Sequence, residues 1–273
     1  MKVKMDRSKF SRRDFIKDAG VLAAGLAIGG SLITAGCSSG SKSSMDNGSM
    51  SHSSTKHKWP WPYQKLDPEV VRKKGYEGWY EAACCYGAMN AIISELRDKI
   101  GVPYSLLPVD MFRFGEGGVA GWSTLCGTLI GASAALTLIG GKKDYSNLVN
   151  ELMGFYTKAS FPTKGHDSYA KFKGQVQSIS GSPLCHVSVS TWCKASGKKS
   201  FSPERNDRCA KLTGDVAAYA VELLNMHADG KFKASYELPS AVQTCRGCHD
   251  KGGSLENTRG MMDCIQCHKP HNP

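Results

Sequence analysis

Between Asp67 and about Leu96 the apolar side chains recur at helical intervals. Within "CCYGAMNAIISEL", Ala88, Ile92 and Leu96 fall on one stripe, so the pattern predicts a helix. Asp67 is placed to cap it, and Pro68 suits its first position. Gly75 and Gly78 loosen it. The stretch "WSTLCGTLIGASAALTLIG" is apolar on nearly every face, with Gly127, Gly131 and Ala135 at four-residue spacing. That predicts a buried central helix that others approach closely. "DYSNLVNELMGFYTKA" predicts a separate amphipathic helix capped by Asp144. A long helix is expected from Ser202 and Pro203 to a stop before Gly230.

Between these helices the pattern breaks down. In "WPWPY", Pro60 and Pro62 hold the chain extended, and Trp59, Trp61 and Tyr63 are expected to dock on the body. "GVPYSLLPVDMFRFGEGGVAG" reads as a turn-rich connector, and residues 160–202 read as irregular. Strand signals are few and short. The expected fold is mainly α: a Cys-bearing helical domain at residues 59–230, then a small, loop-rich C-terminal segment at 231–273.

The N-terminal pattern is of another kind. "SRRDFIK" sets a twin arginine before an apolar, Gly-rich run that ends "ITAGC". Residues 1–36 read as a twin-arginine export signal rather than a membrane span. Small residues before Cys37 suit a lipoprotein signal, so lipidation of Cys37 is expected to anchor the chain, with Thr34 departing from the usual pattern. Residues 37–58 are a Ser-rich tether, and its His52 and His57 read as solvated surface groups. The expected location is periplasmic or otherwise exported.

The formal net charge of +11 is carried partly by that leader. The remainder is mildly basic and has no Lys/Arg run interleaved with aromatics, so no nucleic-acid partner is expected.

Chemistry enters with "CRGCH" and "CIQCH" near the C-terminus. A c-type haem needs two thiols for its thioethers and an adjacent His for its iron, and CxxCH supplies all three. Cys245, Cys248 and His249 are assigned to one haem, and Cys264, Cys267 and His268 to the other. A four-cysteine zinc site would leave both histidines unexplained. Fifteen residues separate Cys248 from Cys264, so the haems must be neighbours. Candidate distal ligands are His227, His186 and His271, with Met226, Met261 and Met262 as alternatives. His166 reads as a structural histidine.

Six more cysteines remain: Cys84, Cys85, Cys126, Cys185, Cys193 and Cys209. Disulfides suit an exported chain. An iron–sulfur cluster is the rival, with Cys126, Cys185, Cys193 and Cys209 spread widely enough to converge on it. Spacing alone does not choose. The twin-arginine route favours the cluster, because it carries proteins folded before export, whereas haem joins CxxCH afterwards.

"CCYGAMNAI", "CGTLIGASAAL", "SPLCHVSVSTWC" and "RNDRCAKL" together resemble the redox-active C–GCAxxG–C–C group. With two CxxCH units appended, residues 59–268 are similar to the split-Soret cytochromes c of sulfate-reducing bacteria. The pattern maps onto Cys84 or Cys85, Cys126 with Gly127 and Gly131, Cys185 and Cys209, with Thr128 in place of the family alanine. The resemblance implies a homodimer with two closely stacked bis-histidine haems per chain, a ligand crossing from the partner chain, and an iron–sulfur centre, with 2Fe–2S favoured. The implied role is electron transfer among redox proteins in anaerobic respiration. The rival is a catalytic oxidoreductase acting on a small molecule at an open iron position. No Ser–His–Asp order, phosphate loop or HExxH occurs, and "GEGGVAG" follows no strand, which argues against dinucleotide binding.

Overall fold

The structure is a computed structural model that describes residues 57–271. The export signal, Cys37, His52 and most of the Ser-rich tether lie outside the described residues.

Helix α1 spans Pro68–Ile100, slightly longer than predicted. Asp67 caps it as expected: its carboxylate accepts from the Glu69 N–H at 2.8 Å. Arg97 and Lys99 sit in the last turn, against the negative end of the helix dipole. The helix is interrupted at Ala82 and Ala83, and Ala83 holds φ +63°. A side chain in that region is strained, so the break is imposed by its surroundings.

Helix α2 spans Gly127–Lys158 and absorbs both predicted central segments. Gly141, at φ +66°, marks their junction as a kink. Asp144 therefore does not stand as a free N-cap; its carboxylate bonds His227 Nε2 at 3.1 Å. Helix α3, Cys185–Ser196, lies where an irregular segment was expected. Its β-branched "VSVST" run has weak helix propensity, and no side chain caps its start. Helix α4 spans Pro203–Ala228, with Ser202 accepting from the Arg205 N–H at 3.2 Å. Helix α5, Ser240–His249, is a second helix in a region read as loop.

Helices α1, α2 and α4 enclose the core, which includes Ile92, Leu96, Leu129, Leu136, Val221 and Leu224. Each such side chain contributes about 1.5–3 kcal/mol on burial. Small residues set the approach of α1 to α4: a Cβ on Gly75 would lie 2.9 Å from the Gly214 Cα. The Trp-rich lead-in docks as predicted, with the Trp59 indole N–H donating to the Thr137 carbonyl at 2.8 Å and Trp61 edge-on to Tyr104.

Among the described residues there is no strand, only two isolated antiparallel bridges, Leu125 to Leu184 and Phe161 to Ser178. No helix there is long and apolar enough to cross a membrane. His166 is the core histidine expected: fully buried, with Nε2 2.9 Å from Asp215 and Nδ1 accepting from the Tyr169 hydroxyl at 2.8 Å.

The C-terminal segment is different in kind. From Asn225 to His271 the single buried side chain is Val242. A stretch of that length cannot stabilise itself by its own apolar burial.

Candidate redox site

Four cysteines from four elements line one cavity of about 340 Å³: Cys84, Cys126, Cys185 and Cys209. Cys84 follows the break in α1, Cys126 is the N-cap of α2, Cys185 opens α3, and Cys209 lies in the second turn of α4. The Leu125–Leu184 bridge brings two of these starts together. The Cys126 N–H donates to the Pro183 carbonyl at 2.9 Å, and the Cys185 N–H donates to the Thr124 carbonyl at 2.7 Å.

The glycines of the motif explain the close approach. A Cβ on Gly127 would lie 2.3 Å from the Gly115 carbonyl and 2.5 Å from the Cys84 sulfur. A Cβ on Gly131 would lie 2.2 Å from the Cys85 carbonyl. Only glycine lets α2 meet the Cys84–Cys85 turn at this distance.

The adjacent cysteines are separated by this packing. Cys84 faces the cavity, whereas Cys85 is fully buried in the apolar core beneath Gly115. Burial pushes the Cys85 thiol up to about 12. Cys193 lies on the far half of α3 and does not line the cavity. The ten described cysteines form no disulfide with one another.

Charge is distributed unevenly around the cavity. Cys126 stands at a helix N-terminus, where the dipole favours an anion. A hydrogen bond from Cys185 and a contact of 3.2 Å with the Thr128 hydroxyl overcome its burial and bring its thiol down to about 6. Cys185 is pushed up by the same shared proton, and Cys84 by burial and by Cys126.

The thiols ring a space; among the described residues no three His, Cys, Asp or Glu groups close on a single ion position. One buried polar atom of a cavity-lining residue has no partner, Arg208 Nε. Buried donors are almost always satisfied. Four thiols, a void and an orphaned donor fit a polynuclear centre with acceptor atoms of its own.

The second site is the C-terminal segment. Cys245, Cys248 and His249 occupy the end of α5, and Cys264 and Cys267 flank a short 3₁₀ turn, Cys264–Gln266, before His268. The first cysteines of the two units adjoin, and burial together with Cys245 pushes the Cys264 thiol up. The His249 ring is held by its Nδ1, 2.8 Å from the Asn257 side-chain oxygen. An amide oxygen only accepts, so Nδ1 carries the hydrogen and Nε2 is left for a metal. Met261, Met262, Leu255 and Ile265 are exposed. A segment with one buried side chain, two CxxCH units and uncovered apolar groups fits a pair of covalently held macrocycles serving as its core.

The candidate distal ligands are dispersed. His227 is engaged by Asp144, at the end of α4. His186 is exposed at the start of α3, with Nδ1 3.1 Å from the Ser123 carbonyl. His271 packs edge-on to His249, with ring centroids 5.7 Å apart. Met226, like Met261 and Met262, is exposed. Sequence reasoning passed over Arg205 and Arg208, although "RNDRC" placed both within four residues of Cys209. It also passed over Asn257 and Gln266, for which the sequence carries no signal.

A helical body that rings a cavity with thiols and ends in two CxxCH units defines a cysteine-based redox protein. The family model of the C_GCAxxG_C_C redox-active proteins matches residues 84–223. Split-Soret cytochrome c of Desulfovibrio desulfuricans is 37% identical over 215 residues, covering 76% of this chain and 77% of that protein. A solved structure of split-Soret cytochrome c from the same species, described as having a novel iron centre, aligns with TM-score 0.73 and 35% identity over 77% of this chain and 91% of that one. The chain belongs to the split-Soret cytochrome c branch of the C_GCAxxG_C_C family.

Proposed function

We propose that this chain is an exported electron-transfer protein carrying two c-type haems and an iron–sulfur centre, passing electrons between redox proteins in anaerobic respiration. When bound, the haems and the centre supply one-electron redox chemistry. Cys245, Cys248, Cys264 and Cys267 hold the two macrocycles, and His249 and His268 are the proximal ligands. Asn257 would fix the His249 tautomer and leave Nε2 free to bind an iron. Cys84, Cys126, Cys185 and Cys209 bind the centre. Cys85 and Cys193 support that region without binding. His186, His227 and His271 are the pool from which distal ligands come, from this chain or its partner.

The observation that carries the reading is the docking of one site on the other. Gln266, inside the second CxxCH unit, donates to the Gly181 carbonyl at 2.8 Å, four residues before Cys185. The haem segment is thereby held against the loop that delivers a cavity cysteine, which suits electron exchange between the two.

The exposed apolar side chains Leu106, Met111, Phe114 and Trp122 support a homodimer, which would cover them. The twin-arginine leader supports export to the periplasm, and Cys37 supports a lipid anchor.

The test is covalent mass together with carbon monoxide reactivity. The purified protein should carry two haems by mass and haemochrome assay, and its reduced spectrum should not change under carbon monoxide, because both irons are six-coordinate. A single haem, or a shifted Soret band under carbon monoxide, contradicts the transfer reading; the second result favours catalysis at an open iron.

A further inference from the structure

Arg208 is a buried charge without an ordinary counter-ion. It is 1% exposed, and it lines the thiol cavity. One terminal nitrogen donates to the Ser188 hydroxyl at 2.9 Å, the other lies 3.9 Å from the Cys209 sulfur, and Nε has no partner. The carboxylates nearest in sequence are committed elsewhere. Glu204 pairs with Lys198 at 2.7 Å. Asp207 accepts from the Tyr76 and Tyr80 hydroxyls at 2.6 and 3.0 Å and pairs with Lys211 at 3.5 Å. Glu116, the one carboxylate on the cavity wall, is turned to solvent and makes no ion pair with Arg208 or any other described residue.

Burying a guanidinium without an anion is strongly disfavoured, so the fold must supply one. The groups left to do so are the cavity thiols and what they bind. A second guanidinium points the same way: Arg205 donates to the Ser200 carbonyl and sets another nitrogen 4.0 Å from the Cys209 sulfur. The N-cap of α2 and the first residue of α3 add the positive ends of two helix dipoles. Four thiolates would otherwise concentrate negative charge in a water-poor site.

We propose that Arg208, assisted by Arg205, is the counter-charge of the four-thiolate centre and a positioning residue that sets its reduction potential. The inference rests on the iron–sulfur reading above. Reduction adds one electron, delivered by the haem pair, and makes or breaks no bond. The guanidinium keeps its proton throughout. A fixed positive charge favours the more negative, reduced state, so its removal moves the potential downward.

The experiment is an electron-paramagnetic-resonance redox titration of the full chain as wild type, Arg208→Gln, Arg208→Lys and Arg205→Gln. Iron, sulfide and haem content are measured on each sample. The expected result is a centre present in all four, a lower midpoint in Arg208→Gln, a near-wild-type midpoint in Arg208→Lys, and a smaller downward shift in Arg205→Gln. The haem potentials should move less than that of the centre. An unchanged or raised midpoint in Arg208→Gln overturns the inference. If Arg208→Gln fails to fold, the half-exposed Arg205→Gln decides: no downward shift there overturns it equally. Absence of sulfide from the wild type sinks the cluster reading itself and is thereby distinguishable from a centre that loads but does not respond to charge.

Discussion

The side chain of Gln266 donates to the carbonyl of Gly181 at 2.8 Å, joining the second CxxCH unit to the loop before Cys185. Gly181 holds φ +65°, and a Cβ there would lie 2.5 Å from the Gln266 nitrogen. Gln266→Ala should loosen the C-terminal segment by about 0.5–1.5 kcal/mol. Gly181→Ala, with clash and strained backbone combined, should do so by about 1–3 kcal/mol. Hydrogen exchange checks both: protection should fall across residues 250–271 while α1, α2 and α4 keep theirs. Unchanged exchange in Gly181→Ala would show that the contact does not hold the segment.

Gly127 sets how closely α2 approaches the cysteine turn. Gly127→Ala places a methyl against the Gly115 carbonyl and the Cys84 sulfur. A stability loss of about 1–3 kcal/mol in chemical denaturation is expected. Cys84 should also be displaced from the cavity, with loss of non-haem iron while both haems remain. Retention of the iron would show that the turn can shift without losing its ligand.

Asp215 links α4 to the body. Burial alone would push its carboxyl up, but His166 and Thr163 outweigh this and hold it below the usual carboxylate range. Thr163 donates from both backbone and hydroxyl, at 2.9 and 2.6 Å, and Arg72 pairs with the same carboxylate. A depressed folded-state value means that the stabilisation is full above the unfolded value, near ~3.9, and is lost as pH falls through the folded one. Asp215→Asn should cost about 1–3 kcal/mol at neutral pH, since it weakens the bonds from His166 and Thr163 and removes one of the two carboxylates that pair with Arg72. The difference from wild type should shrink as pH drops below about 4. A pH-independent difference would contradict this role.

Asn257 holds the ring of His249, the proposed proximal ligand. Asn257→Ala removes the acceptor at His249 Nδ1 and frees the ring to rotate. Haem attachment should be unchanged by mass, but one of the two haems should gain a high-spin component in the optical spectrum. A fully low-spin spectrum would mean that the ring is held by other means.

Legibility in the sequence followed how local each determinant was. The helices α1 and α4 were readable because Asp67–Pro68 and Ser202–Pro203 cap them and their apolar stripes repeat. Helix α3 was missed because "VSVST" is β-branched, and tertiary contacts stabilise its start instead. The join of two predicted helices at Gly141 was missed because Asp144 reads as a cap yet pairs with His227. The CxxCH units are contiguous and were plain. The thiol cavity is assembled from Cys84, Cys126, Cys185 and Cys209, so the sequence offered a set of candidates but could not separate Cys84 from Cys85, or set Cys193 aside. That separation depends on Gly115, Gly127 and Gly131, whose spacing matters only once α1 and α2 are packed.

The central claim is that four particular thiols hold an iron–sulfur centre beside two haems. Iron and acid-labile sulfide per haem, measured on the purified wild type and on single Cys→Ser variants, test it most directly. Iron in excess of haem, with sulfide to match, is predicted for the wild type, Cys85→Ser and Cys193→Ser, and loss of both excesses for Cys84→Ser, Cys126→Ser, Cys185→Ser and Cys209→Ser. Iron equal to haem with no sulfide in the wild type, or a centre lost only in Cys85→Ser or Cys193→Ser, would contradict it.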